Sequence, residues 1–186
     1  MKNKKEKINL TKKLIKSRII ILSEPIDSRI AKNIITQTLF LQQDNKEKPI
    51  KVFINSPGGS ASDGFAIYDI LKYCGCPVYT YAVGLCASAA VLVYLSATKS
   101  YRFALPNAKF LLHQPSTAII GRVSDIEVNA QEILKLRERY NKIVSDETGQ
   151  TLEKISHDTD RDFWLTAEEA KEYGLIGKIL NNLSEL

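Results

Sequence analysis

No apolar run in this 186-residue chain approaches the roughly 20 residues that cross a bilayer, so no transmembrane helix is expected. The lysine-rich start, Met1-Lys2-Asn3-Lys4-Lys5-Glu6-Lys7, leads into no apolar h-region, which speaks against a secretory signal and for a cytoplasmic protein. Cysteine is scarce. Cys74, Cys76 and Cys86 are odd in number and point to free thiols in a reducing compartment, not to a disulfide framework. Cys74-Gly75-Cys76 lacks the two-residue spacer of a zinc knuckle or a redox pair, so no metal is expected. The glycines never fall into a Gly-x-Gly-x-x-Gly pattern, and no Gly-rich loop is followed by Lys-Ser/Thr, which leaves phosphate binding without support. Repeats, low-complexity tracts and Pro/Gly/Ser linkers are absent too, and this length suits one domain with a hydrophobic core.

The formal charge of +5 misleads about partners. Residues 1–18 hold eight Lys/Arg against one Glu, while the rest of the chain holds 18 basic against 20 acidic residues, a net of −2. The basic excess is thus an N-terminal arm, residues 1–17, on a nearly neutral body, residues 18–186. The arm is expected to be solvated and partly disordered. No basic stripe with interleaved aromatics lies on the body, so a nucleic acid is not an expected partner.

What is present is a regular alternation of strand and helix signals. Short apolar runs predict strands at Arg18–Leu22, Ile50–Ile54, Val78–Val83, Tyr101–Ala104, Phe110–His113 and Leu175–Leu180. Between them, Asp27 or Ser28 can cap a helix carrying Ile30, Ile34, Ile35 and Leu39, and a second helix carries Phe65, Ile67, Ile70, Leu71 and Cys74. Ala89 to Leu95 reads as an apolar helix. Ser124 and Glu127 suggest a capping box opening a long helix to Thr148, with Ile126, Ala130, Ile133, Tyr140 and Val144 as its apolar stripe. A short helix is expected at Thr151–Ser156, and a second capping box, Thr166 with Glu169, opens a helix ended by Gly174. Strands alternating with helices imply an α/β fold with a largely parallel sheet.

One serine stands out. Ser88 sits among small residues, Gly84-Leu85-Cys86-Ala87-Ser88-Ala89-Ala90, between a strand signal and a helix signal, where a hydroxyl is reachable and free backbone N–H groups are near. A serine nucleophile needs a base, an orienting carboxylate and an oxyanion site. Of the two histidines, His113 ends an apolar strand and can project into a cleft, whereas His157 lies in a polar stretch, so His113 is the expected base. Asp158, Asp160 and Asp162 fall together, and on an extended segment alternate residues face one way, so spacing leaves the acid open among them. Asp162, next to Phe163 and Trp164, is expected nearest the core. In Asn55-Ser56-Pro57-Gly58-Gly59-Ser60 the paired glycines allow positive φ and close approach, so the N–H of Gly59 and that of Ala89 are candidate oxyanion donors.

Taken together, Phe53-Ile54-Asn55-Ser56-Pro57-Gly58-Gly59-Ser60, Ala87-Ser88-Ala89-Ala90, Leu112-His113-Gln114-Pro115, Asp158-Thr159-Asp160-Arg161-Asp162 and Leu165-Thr166-Ala167-Glu168-Glu169-Ala170 resemble, in order and spacing, the ClpP family of proteolytic Clp protease subunits. The resemblance runs from about Arg18 to Leu180. It implies a crotonase-like fold with repeated β/α units and a protruding handle at about 114–148, and a serine endopeptidase assembled as two heptameric rings, a tetradecamer. Its substrates would be unfolded proteins delivered by an AAA+ unfoldase, which uses the ATP; the peptidase itself would need no cofactor. By motif match Ser88, His113 and Asp162 form the triad, with Gly59 and Ala89 at the oxyanion hole. Asp160 and Arg161 match the family's ring-contact sensor pair, and Phe53, Tyr73, Tyr81 and Val83 fit its unfoldase-docking surface.

The chain departs from the family pattern in four places. Ala89 and Ala90 replace a bulky residue and a glycine, and Ser116-Thr117-Ala118-Ile119-Ile120 replaces a strand with a glycine pair. Asn3 to Lys16 replaces the axial loop, and Lys51 stands where an aromatic is common. These departures raise the alternative of a second paralogue, weakly active or structural, in a mixed ring.

Overall fold

The computed structural model describes residues 10–116 and 120–182. Residues 1–9 of the basic arm and 117–119 of the altered segment after His113 lie outside the described residues.

The elements run α1 (Leu10–Lys16), β1 (Ile19–Leu22), α2 (Ser28–Asp44), β2 (Ile50–Ser56), α3 (Ala61–Tyr73), β3 (Val78–Ala87), α4 (Ala89–Leu95), β4 (Arg102–Ala104), β5 (Lys109–Leu112), α5 (Val123–Thr148), α6 (Leu152–Asp158), β6 (Phe163–Thr166), α7 (Ala167–Tyr173) and β7 (Lys178–Ile179). A single 3₁₀ turn, Lys99–Tyr101, precedes β4. The sheet has the order β1-β2-β3-β4-β7, all parallel, and β5 joins β3 beyond the end of β4. The lower half of β3 therefore pairs with β4 through Thr80–Ala82, and its upper half with β5 through Leu85–Ala87. β6 is antiparallel to β5.

One face of the sheet is core, carrying Ile20, Leu22, Val52, Ile54, Thr80 and Ala82, and every residue of α4 is buried against it. That accounts for the unbroken apolar run Ala89–Leu95: a helix covered on all sides has no polar face. On the other face the alternate residues Ile21, Lys51, Phe53, Tyr79, Val83 and Phe103 remain partly or fully exposed, the period of two expected of a strand with one solvated side.

At several points the structure corrects the sequence reading. Arg18 does not open β1. It holds φ 60°, rare for a residue with a side chain, and is kept there by its guanidinium, which donates to the carbonyls of Leu41, Lys48 and Pro49 and pairs with Asp44. Residues 10–16 of the arm form α1. In α2 the buried face is Ala31, Ile34, Thr38 and Leu41, and Leu39 is exposed. α5 begins at Val123 after Arg122 without a side-chain cap, so the Ser124–Glu127 box does not form. Of its expected stripe only Tyr140 and Val144 are buried, and residues 120–132 are exposed, with Ile120, Asn129 and Glu132 at the rim of a cavity against the body. The last strand shrinks to Lys178–Ile179, because Gly174 turns the chain at φ 99° and Leu175 and Ile176 are buried in that turn. β6 is a strand that periodicity did not reveal. The Thr166–Glu169 capping box is present with both of its hydrogen bonds.

Candidate active site

Three loops meet at the carboxyl ends of parallel strands, where open α/β sheets leave a crevice. The segment Pro57–Ser60 follows β2, Ser88 follows β3, and His113 follows β5. Ser88, His113, Gly59 and Ala89 all line one cavity of about 750 Å³, walled by the apolar side chains of Phe65, Leu92, Ile133 and Leu136. Tyr140 also lines it, and its buried hydroxyl has no hydrogen-bond partner among the described residues.

Ser88 holds φ 55° and ψ −124°, a conformation that L-residues seldom adopt. Its amide donates to the Leu111 carbonyl (2.8 Å) on β5, and its carbonyl accepts from Val91 (3.0 Å) in the first turn of α4. This sharp strand-to-helix turn leaves the hydroxyl half-buried in the cavity wall, with no hydrogen bond to His113 or to any other described residue.

The imidazole is fixed from the opposite side. His113 Nδ1 lies 3.0 Å from Asp162 Oδ1. The pair forms because β5 and β6 are antiparallel with Leu112 opposite Phe163, so the residue after one strand and the residue before the other fall side by side. Asp162 is not the buried acid expected from its apolar neighbours: its side chain is 62% exposed. The buried member of the trio is Asp158, 11% exposed, at the end of α6, not on an extended segment. It accepts from Tyr173 Oη (2.8 Å) and Lys154 Nζ (2.6 Å), which commits it to the body.

The glycine pair adopts the positive φ expected, 87° at Gly58 and 144° at Gly59. Gly59 bridges Ile26, but the bridge uses the Gly58 carbonyl (2.7 Å) and the Ser60 amide (2.9 Å). The Gly59 N–H is left without an acceptor among the described residues, as is that of Ala89. Both residues line the cavity.

A model of the Clp protease family matches residues 2–183. A solved structure of a ClpP1 point mutant from Listeria monocytogenes is 40% identical, covers 94% of this chain and 98% of its own, and superposes with a TM-score of 0.87. The chain belongs to the Clp protease family. It is a ClpP-type serine peptidase with the α/β fold of that family.

The other residues picked out by resemblance to ClpP fall into two groups. Asp160 Oδ1 pairs with Arg137 on α5 (3.3 Å), while Arg161 is exposed and 4.0 Å from Asp160. Gln114 binds the same segment through Asp160 O (2.8 Å) and Thr159 O (2.7 Å). Phe53 and Tyr81 stack at 4.6 Å and Tyr81 stacks on Phe103 at 5.0 Å, but Tyr81, enclosed between those rings, is buried and not the open docking residue expected. Val83 is two residues along β3, but Tyr73, exposed at the end of α3, is not among the stacked rings. Sequence reasoning overlooked Arg137, Phe103 and the Tyr79–Tyr101 stack (4.4 Å). For Phe103 there was a signal, since Phe53, Tyr81 and Phe103 share one register across β2, β3 and β4. Cys74, Cys76 and Cys86 are free thiols. Among the described residues no group of three His, Cys, Asp or Glu is placed to hold a metal ion, and no helix is long and apolar enough to cross a membrane.

Proposed function

We propose that Ser88 is the nucleophile, His113 the general base and Asp162 the residue that holds the imidazole tautomer, with the N–H groups of Gly59 and Ala89 receiving the oxyanion. The supporting observation is the Nδ1–Oδ1 contact of 3.0 Å, which turns the other ring nitrogen free to take a proton while histidine and serine line one cavity. His113 takes the Ser88 proton as the oxygen attacks the scissile carbonyl. It returns that proton to the leaving amine, and water repeats the sequence on the acyl-enzyme. Positive charge on the ring is balanced by Asp162. The anionic oxygen meets two amides that have no acceptor of their own to surrender.

The assembly, the partner and the site of action belong to the same proposal. Residues 18–186 act as one peptidase domain, residues 1–17 as a basic arm, and residues 114–148 as the handle between two heptameric rings. Exposed Val123, Val128 and Leu134 on α5 give that handle apolar surface to cover. The aromatic face at Phe53 and Tyr81, with Tyr73 and Val83, receives an AAA+ unfoldase, Asp160 and Arg161 report ring contact, and cleavage of unfolded chains proceeds in the cytoplasm without a cofactor in this chain. A silent structural subunit is disfavoured, because the histidine–aspartate pair is intact.

The test is fluorophosphonate labelling with mapping of the adduct, alongside a size measurement. Label on Ser88 and a particle of about 290 kDa, fourteen copies of the 20.9 kDa chain, are expected. Undiminished labelling of Ser88→Ala would overturn the assignment.

A further inference from the structure

Ser56, the last residue of β2, is a side chain that neither the reaction nor the assembly described above uses. It is fully buried. Its hydroxyl donates to the Glu24 carbonyl (2.7 Å) and accepts from the Gly58 amide (3.2 Å), so one oxygen ties the segment after β1 to the glycine loop. The second bond closes a turn over Pro57, in which a serine hydroxyl serves the N–H two residues on. That N–H belongs to a glycine packed close beneath the nucleophile, since a Cβ on Gly58 would lie 2.7 Å from Ser88 Cβ and 2.9 Å from the Ala89 nitrogen. The same segment is gripped a second time, by the bonds Ile26 N to Gly58 O and Ser60 N to Ile26 O.

We infer that Ser56 is a positioning residue for the oxyanion site. Resting on the peptidase reading above, it fixes the Pro57–Gly58 peptide, so that the next peptide, whose Gly58 carbonyl Ile26 holds, aims the Gly59 N–H before substrate arrives. Position 56 pairs with Cys86 just after a register shift between Ile54 and Ser56, so the ladder with β3 is irregular where the loop begins. The hydroxyl supplies the fixed point that the ladder does not. A donor aimed in advance acts on the transition state and leaves ground-state binding alone.

The experiment compares full-length wild type with Ser56→Ala on a fluorogenic peptide, with a peptide boronate as mimic of the tetrahedral adduct. Removal of a whole oxyanion donor costs 10²–10³ in rate, so misaiming one should lower kcat by about tenfold, with KM unchanged and boronate affinity weakened by the same factor. A role confined to stability would lower the melting temperature and leave those ratios as they were. Unchanged kcat, or a loss carried by KM, would overturn the inference. If Ser56→Ala does not assemble, Ser56→Cys, a poorer acceptor of similar size, makes the same comparison, and failure of both to assemble also overturns it. A wild type that neither labels at Ser88 with fluorophosphonate nor cleaves the peptide would instead sink the peptidase reading. A wild type that does both, matched by Ser56→Ala, sinks only the role of Ser56.

Discussion

Gly58 lies directly under Ser88: a methyl group added there would sit 2.7 Å from the serine Cβ and 2.5 Å from the Ala87 carbonyl oxygen. Contacts that short cannot be relieved by a rotamer change, because two of the three nearest atoms are backbone. Gly58→Ala, which also meets φ 87°, is expected to displace the nucleophile turn and cut the rate of Ser88 labelling by about 10²-fold or more. Urea denaturation should show a loss of about 1–3 kcal/mol for the strained backbone.

Asp162 and Asp158 should divide activity from stability. Asp162→Asn removes an exposed carboxylate whose hydrogen-bond partner among the described residues is the imidazole, so the fold should hold. With the wrong ring nitrogen free, kcat should drop on the order of 10²–10⁴-fold. Peptide hydrolysis by a variant of wild-type size and melting temperature is the check.

For Asp158 the readout is stability against pH. Burial alone would raise its carboxyl, but hydrogen bonds from Lys154, Tyr173 and His157 hold it below the usual carboxylate range. A group depressed in the folded state stabilises above the unfolded value, about 3.9, and loses that contribution as pH falls through the lower folded value. Asp158→Asn should therefore be less stable than wild type near pH 7, by about 1–3 kcal/mol. The gap should close below about pH 4. Urea midpoints across that range decide it.

Arg102 and Glu147 form a buried clamp between β4 and the end of α5. Arg102 is fully buried and donates to the carbonyls of Leu95, Ala97 and Glu147 as well as to the Glu147 carboxylate, which also pairs with Lys72 (2.6 Å). Glu147→Ala strands that guanidinium and should cost about 3–5 kcal/mol in urea unfolding. Adding Arg102→Met should recover part of the loss and not all, since three carbonyls lose their donor.

Ser88 and His113 were legible as candidates because chemistry limited them, with two histidines and one small-residue serine, whereas within the aspartate cluster only the resemblance to ClpP singled out Asp162. The glycine loop was legible because positive φ selects glycine. Asp158 and Asp162 misled, because apolar neighbours in sequence say nothing about which side chain a helix end turns inward. The short strands were harder. β6 is defined by pairing with β5, a contact spanning about 50 residues that no local period reports, and β7 loses its first three expected residues to the Gly174 turn. Ser56 was invisible for a related reason: its two partners come from different segments, and nothing local marks a serine as a tie between them.

The seam between β3 and β5 has a consequence for how this enzyme can be switched. Histidine and aspartate ride on the β5–β6 ribbon, while serine follows β3, and the pairs Leu85–Lys109, Cys86–Phe110 and Ala87–Leu111, with the bond from the Ser88 amide to the Leu111 carbonyl, stitch the two together. Shearing that narrow join would carry the base away from the nucleophile and leave the base and its acid still clasped. A separation at that join would leave the 3.0 Å contact of His113 with Asp162 whole, since both residues flank paired strands of one ribbon.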